Sequence, residues 1–344
     1  MEKFDKAILF SGGGTRMMIY LGMYAALEEF GVTPNVIIAS CGGSFAAVVI
    51  NAFSDNLARK NYLKSEEFYD FIISTKLTRQ KKLSKIGIFT FKKQFNKANA
   101  PYIEDVFNRY LVEMNQDLSL NFPTLKNTSF SAEIPTVIVG SELLFNKREV
   151  DQTRGNRKLY QKIFFTDKQT AKNIKPDKLI IESENFQNSA IAELPKIETA
   201  FSMLDSTRIS ISDMFYVEPA LINGKYYAGG AVDLVPIELG NHLANHVLLE
   251  KKQKYNNVEE ALVRSVLGYS GNERLKQISL YSQNQQIDTT NIKNDLKGHY
   301  LEKIMDWKKM EIAFSYPKNF KEFKIDMEMQ WQYGYNQTLK SLKL

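Results

Sequence analysis

Hydrophobic positions near the N-terminus fall into two copies of one pattern. Ala7-Ile8-Leu9-Phe10 is a short apolar run, and Val36-Ile37-Ile38 is another. Runs this short, without polar alternation, predict parallel strands buried on both faces. A glycine turn follows each: Gly12-Gly13-Gly14 after the first, Ser40-Cys41-Gly42-Gly43 after the second. Met17 to Phe30 then carries apolar residues at helical spacing and stops at Gly31, and Phe45 to Phe53 reads as a buried helix. Strand, glycine turn and helix, repeated, predict an α/β sheet with its ligand at the carboxyl ends of the strands.

The pattern then changes. Residues 56–112 read as an inserted helical, basic cap, because Thr75 to Lys97 holds eight Lys/Arg and no acid, interleaved with Ile86, Ile88, Phe89, Phe91 and Phe95. Ile134 to Val139 predicts a strand that Gly140 ends, and the polar residues 145–190 predict hairpins and loops. Ile197 to Leu204 reads as a short helix. Asn223-Gly224 predicts a tight hairpin between Ala220-Leu221-Ile222 and Lys225-Tyr226-Tyr227. His246 to Leu249 reads as a late strand, Val258 to Leu267 as a helix, and residues 300–344 as C-terminal closing helices centred on Phe323 to Leu344. With no repeat and no linker, residues 1–344 read as a single domain with insertions.

Composition narrows the classes. The 344 residues are 44% hydrophobic and 24% charged, as in a globular domain. One cysteine allows no intrachain disulfide, and one cysteine with three histidines allows no zinc ribbon. No metal or cofactor is expected. Forty-five Lys+Arg against 39 Asp+Glu give +6, and the pI is near 9.0. That excess is mild and suits an anionic membrane, an acidic carrier protein or nucleic acid, or carries no meaning. No apolar run reaches the ~18–20 residues of a membrane span. The N-terminus lacks the layout of a signal peptide, so the expected location is cytoplasmic, with a peripheral membrane role open.

Two turns carry candidate chemistry. Ser11-Gly12-Gly13-Gly14-Thr15-Arg16 lies between strand and helix, where glycines admit close approach and a helix start aims unpaired N–H groups at an anion. That builds a phosphate cradle or an oxyanion hole; a plain tight connection is the bland alternative. In Ala39-Ser40-Cys41-Gly42-Gly43-Ser44 the small residues surround a tip residue, Cys41, as in a nucleophile elbow. A lone cysteine is ordinarily a small buried hydrophobe. At a helix N-terminus its thiolate is stabilised, which predicts a lowered pKa.

Together these turns resemble the patatin-like phospholipase family, which has an Asp-Gly-Gly-Gly-x-Arg-Gly loop, a Gly-x-Ser-x-Gly elbow and a distant Asp-Gly-Gly/Ala that completes a Ser–Asp dyad. The third piece is matched by Ala228-Gly229-Gly230-Ala231-Val232-Asp233-Leu234-Val235-Pro236, just after the Asn223-Gly224 hairpin. The segments around Ala200 to Phe215 and Gly334-Tyr335 fit as well, whereas residues 56–190 match poorly. The resemblance implies a three-layer α/β/α domain. It implies an oxyanion hole at Gly12, Gly13 and Gly14, with Arg16 anchoring that loop or a substrate anion. Cys41 becomes the nucleophile, with Ser40, Gly42 and Gly43 forming its elbow.

The departures are chemical. Ser11 and Met17 replace the loop's acid and last glycine, Ala39 replaces the elbow's first glycine, and Cys41 replaces the serine. Ala228 stands where the family has its base, beside Gly229 and Gly230, and Leu234 replaces a later Asn. Three readings of Ala228 stay open: an aspartate changed to alanine, a Cys-only acyltransferase with another base, or a non-catalytic protein that binds lipid, a carrier or a partner. Asp233 and His242 are the downstream alternatives for a base, and both read as structural; so do His242 and His246 as a pair. The expected activity is a lipid acyl hydrolase or acyltransferase that works through a Cys41 thioester on a long-chain acyl ester or thioester. A thioester keeps its transfer potential, which favours transfer over plain ester hydrolysis. Lys81, Lys82, Lys85, Lys92 and Lys93 are the candidates for docking an anionic membrane or an acyl carrier protein. Nucleic acid is not an expected partner.

Overall fold

Strand β1 (Phe4–Ser11) sits at the centre of a mixed sheet in a computed structural model that describes residues 3–12, 14, 16–82, 99–281, 284–306 and 308–343. Its side chains alternate across the sheet: Ile8 and Phe10 enter one hydrophobic core, Ala7 and Leu9 the other. A strand buried this way has no polar face, which is why its sequence reads as a continuous apolar run. Beside it lies β2 (Val36–Ser40). Next come two short strands outside the main sheet, β3 (Lys76–Leu77) and β4 (Val112–Glu113), paired antiparallel. The main sheet continues with β5 (Thr136–Leu143), β6 (Tyr160–Phe165), β7 (Lys196–Glu198), β8 (Ala220–Ile222), β9 (Lys225–Ala228), β10 (Ala244–Lys251) and β11 (Gln285–Asp288). Its order is β11-β10-β1-β2-β5-β6-β7, with β9 joined to β5 and β8 to β9. From β11 to β5 every pairing is parallel, while β6 and β9 run antiparallel to β5.

One face carries α1 (Met17–Glu29), α2 (Gly42–Ala52), α3 (Asn56–Leu63), α4 (Glu66–Ser74), α5 (Met203–Ser210) and the long α9 (Phe320–Leu342). The other carries α6 (Ile237–Leu243), α7 (Asn257–Leu267) and α8 (Gly271–Ser279). The protein is thus a three-layer α/β/α domain. Helices α1 and α9 cross at reciprocal glycines: a Cβ on Gly22 would lie 2.1 Å from the Trp331 carbonyl oxygen, and one on Gly334 2.0 Å from that of Ile19. Among the described residues, no helix is long and apolar enough to cross a membrane.

Several elements differ from the sequence expectations. Gly140 does not end its strand. It lies inside β5, where a Cβ would come 2.6 Å from Ile209, so the glycine lets α5 settle onto the sheet. The segment expected as a helix over Ile197 to Leu204 splits: its start is β7, and Ser202 caps α5 by accepting the Asp205 N–H. The region 145–190 contains β6, an interior strand of the sheet between β5 and β7. Residues 56–74 form α3 and α4, whose Tyr62, Leu63, Phe68 and Ile72 join the core under α1 and α2. Within the rest of the expected cap, β3 pairs with β4 across its two ends, while 83–98 lies outside the described residues, and Lys85, Lys92 and Lys93 with it. In 300–344 a hairpin, β12 (Lys303–Asp306) with β13 (Glu311–Phe314), precedes α9.

Candidate active site

The parallel order brings the carboxyl ends of β1 and β2 side by side, with Ser11 opposite Ser40. Both chains then turn sharply. Gly12 and Gly14 have φ of +78° and +59°, conformations that a glycine adopts without a Cβ penalty. Cys41 has φ 50° and ψ −129° at the N-cap of α2. Such a backbone costs a non-glycine residue on the order of 1–3 kcal/mol and persists only where neighbours hold it. Here they do. The Cys41 N–H donates to Ser210 Oγ at 2.8 Å, and Ser210 Oγ in turn donates to the Val139 carbonyl at 2.6 Å. The Cys41 carbonyl accepts the Ser44 N–H at 2.9 Å. Helix α2 therefore begins at Gly42, three residues before the apolar run of the sequence.

The two turns touch. A Cβ on Gly42 would stand 2.4 Å from the Gly14 carbonyl oxygen, one on Gly43 2.1 Å from that of Phe10, and one on Gly12 3.1 Å from the Cys41 Cβ. Gly12 and Gly14 thus lie against the elbow; Gly13 is outside the described residues. The Gly12 carbonyl is held from behind. Lys252 Nζ donates to it at 2.7 Å, and the Tyr20 hydroxyl lies against it while reaching Glu250 Oε2 at 2.8 Å. Glu250 also accepts from Thr289 at 2.7 Å and pairs with Lys252. Burial opposes ionisation of Glu250, yet Lys252, Thr289 and Tyr20 hold its carboxyl below the usual range. Arg16, the N-cap of α1, stacks its guanidinium 5.5 Å over the Tyr300 ring.

The Ala228 position lies at the end of β9, with its side chain buried and its carbonyl accepting from Ser141 Oγ at 3.2 Å. Gly230 packs against Ser40, since a Cβ there would meet the Ser40 Cβ at 3.0 Å. Of the downstream candidates, Asp233 is buried between Lys162 at 2.8 Å and Arg274 at 3.2 Å. His242 Nε2 accepts the Lys175 N–H at 3.2 Å. A separate cavity lined by Lys3, Lys178, His242, Arg274 and Tyr281 includes neither Cys41 nor the glycine loop.

The sequence reading did not find Asp213. This residue follows α5, and its carboxylate is the side chain whose charge bears most on the Cys41 thiol. The expected depression of the thiol pKa is overturned: burial and the neighbouring Asp213 push Cys41 well above the usual thiol value. The Gly42 N–H and Lys252 pull the other way and do not prevail. Burial likewise pushes Asp213 up to about 6, with Cys41 and the Ala231 hydrogen bond acting against it. The site therefore holds a neutral thiol beside a carboxylate, a pair suited to general-base activation.

A family model described as patatin-like phospholipase matches residues 8–240. Among solved structures the chain is similar to VipD from Legionella pneumophila, with 12% identity, 99% of this chain and 67% of that one covered, and a TM-score of 0.38. It is similar to the type III effector protein ExoU, with 12% identity, 98% and 53% covered, and a TM-score of 0.35. It is similar to human GIVD cytosolic phospholipase A2, with 10% identity, 99% and 59% covered, and a TM-score of 0.40. The chain thus spans 53% to 67% of the length of these proteins. No curated protein sequence matches it.

Proposed function

The chain belongs to the patatin-like phospholipase family, and from that premise we propose that it is a lipid acyl hydrolase or acyltransferase whose nucleophile is the Cys41 thiol. The observation that supports this most is the Cys41 backbone, held at φ 50° with its residue at the tip of a turn facing the glycine loop. A buried structural cysteine has no need of that strain. In this reading Sγ attacks the carbonyl carbon of an acyl ester or thioester. Backbone N–H groups of Gly12 to Gly14 receive the oxyanion, and the product of the first half-reaction is a Cys41 thioester. Incubation with p-nitrophenyl octanoate or an octanoyl thioester, followed by intact-mass measurement, tests it. One octanoyl group is expected on the wild type and none on Cys41→Ala. If no donor leaves an adduct or turns over, the protein is a non-catalytic member that binds lipid or a partner.

The acyl substrate is met, in this reading, at an anionic lipid surface rather than on a carrier protein. Hairpin β12–β13 supports the choice. Ile304, Met305 and Met310 are 44%, 49% and 55% exposed on it, beside the exposed Lys303, Lys308 and Lys309. An antiparallel bridge from Lys82 to Glu311 joins the hairpin to the edge carrying Arg79, Lys81 and Lys82. Apolar side chains ringed by lysines suit the headgroup region of a bilayer. The hairpin also borders the site: Lys303 Nζ sits 4.9 Å over the ring of Tyr216, which feels the charge of Cys41 and Asp213.

A further inference from the structure

We propose that Asp213, on the loop after α5, is the general base of Cys41 and supplies from a new place in the chain the carboxylate that position 228 lacks. The proposal rests on Cys41 being the acyl-carrying nucleophile.

Three features of the loop converge on this. The first is proximity, since Asp213 holds the Gly229–Ala231 turn, whose Gly230 packs on Ser40 beside Cys41, and its charge bears on the thiol. The second is room. A Cβ on Gly229 would lie 2.1 Å from Asp213 Oδ1 and 2.7 Å from its backbone nitrogen. Asp213 thus packs directly over Gly229, the residue that follows Ala228. The third is orientation. Asp213 Oδ1 accepts the Ala231 N–H at 3.1 Å, and the Ser212 carbonyl accepts the Gly229 N–H at 2.8 Å. The Asp213 carbonyl itself accepts the Tyr216 and Val217 N–H groups, at 2.9 and 3.0 Å. The loop is stitched to the Gly229–Ala231 turn, so the carboxylate is fixed where the thiol needs it. Other nearby carboxylates are committed elsewhere: Asp233 to Lys162 and Arg274, Glu250 to Lys252. The charged and titratable groups whose fields reach the pair are Tyr20, Tyr216, Lys252 and Tyr255.

The steps balance. The thiol proton passes to Asp213 as the Sγ–C bond forms and the carbonyl electrons move to the oxyanion. Collapse breaks the bond from the carbonyl carbon to the leaving oxygen or sulfur, which takes the proton from Asp213. Water or an alcohol then attacks the thioester and gives its proton to Asp213. The Sγ–C bond breaks, and Sγ recovers the proton.

Two measurements on the full chain test the assignment. In the first, octanoylation of Cys41 by p-nitrophenyl octanoate is followed by mass. Asp213→Asn is expected to slow it by about 10²–10⁴-fold, the usual worth of a general base. The relocated pair Asp213→Ala/Ala228→Asp is expected to recover at least about tenfold of that loss. In the second, the rate of iodoacetamide alkylation of Cys41 is measured against pH. Removing the adjacent negative charge in Asp213→Asn is expected to move the thiol's titration down by about one to three units. An unmoved alkylation profile overturns the proposal whether or not any acyl donor reacts. An Asn variant that acylates at the wild-type rate overturns it while leaving Cys41 as nucleophile. A wild type that never acylates, but whose alkylation profile still shifts in the variant, sinks the acyl-transfer reading and leaves the Asp213–Cys41 pair.

Discussion

A carboxylate buried against a thiol works against stability, and that gives Asp213 a signature separable from catalysis. Its carboxyl moves from 3.8 up to about 6 because burial disfavours the charge. The folded state therefore holds the proton more tightly than the unfolded chain. The contribution to stability is full below about pH 4 and is lost as pH rises through about 6, up to about 3 kcal/mol for a shift of this size. Asparagine has no such titration and still offers Oδ1 to Ala231. We expect Asp213→Asn to melt several degrees above the wild type near pH 8, with the difference shrinking steadily toward pH 4. Melting curves across that range check it; a difference constant with pH would mean that the carboxyl is not buried in this way. The two residues were unequally legible. Cys41 is announced by the small residues on either side of a strand-to-helix turn. Asp213 sits in Ser212-Asp213-Met214-Phe215, where nothing in the local pattern distinguishes it. Only the vacancy signalled by Ala228-Gly229-Gly230 hints that a carboxylate must come from elsewhere, and the chain order does not say from where.

At the scale of elements, close approach between backbones decides what each glycine is for. Gly22 and Gly334 let α1 and α9 cross with their backbones nearly touching, and Trp331 and Tyr333 of α9 pack into the same core. Since α1 begins at Met17, just after its N-cap Arg16, this crossing also fixes the helix that follows the glycine loop. A methyl at 334 would meet the Ile19 carbonyl at 2.0 Å, so the helices must separate. Gly334→Ala should cost about 1–3 kcal/mol through overpacking, despite alanine's better helix propensity. It should also lower the octanoylation rate through the displaced loop. Denaturant unfolding with and without the substitution measures the first effect; an unchanged midpoint would mean that α9 does not press on α1. The same physics explains which elements the sequence made readable. The twin strand–turn–helix units and the Asn223-Gly224 hairpin, with φ of 51° and 76°, depend on local signals. The continuation of β5 through Gly140, and the short β7 ahead of α5, depend on partners far along the chain, so local pattern misreads them.

For the molecule as a whole, the layered α/β/α architecture follows from strands apolar on both faces, while the surface that meets substrate does not. The basic edge was legible as a run of Lys and Arg; its apolar companion, the β12–β13 hairpin, was not, because Ile304 and Met305 are a lone apolar pair between Lys303 and Asp306 with no periodicity to mark a face. Arg79, Lys81, Lys82, Lys303, Lys308 and Lys309 there oppose Glu302, Asp306 and Glu311. The excess of cations is small, so apolar insertion should carry most of the affinity and charge should set selectivity. Vesicles of phosphatidylserine and phosphatidylcholine separate the two contributions in a sedimentation assay. Met305→Asp should weaken binding at least about tenfold at any salt, since a buried apolar side chain is worth about 1.5–3 kcal/mol. Arg79→Glu/Lys82→Glu should weaken it by about fivefold or more per position at low salt, and by much less at high salt, at about 1 kcal/mol per basic residue near an anionic surface. Both variants should hydrolyse a short soluble ester at the wild-type rate, because neither touches Cys41, Asp213 or the glycine loop. Equal binding to purely zwitterionic vesicles would remove the anionic requirement. Unaltered binding by Met305→Asp would remove the hairpin from the interface, and capture of an acidic acyl carrier protein by the same edge would replace the membrane with a protein partner.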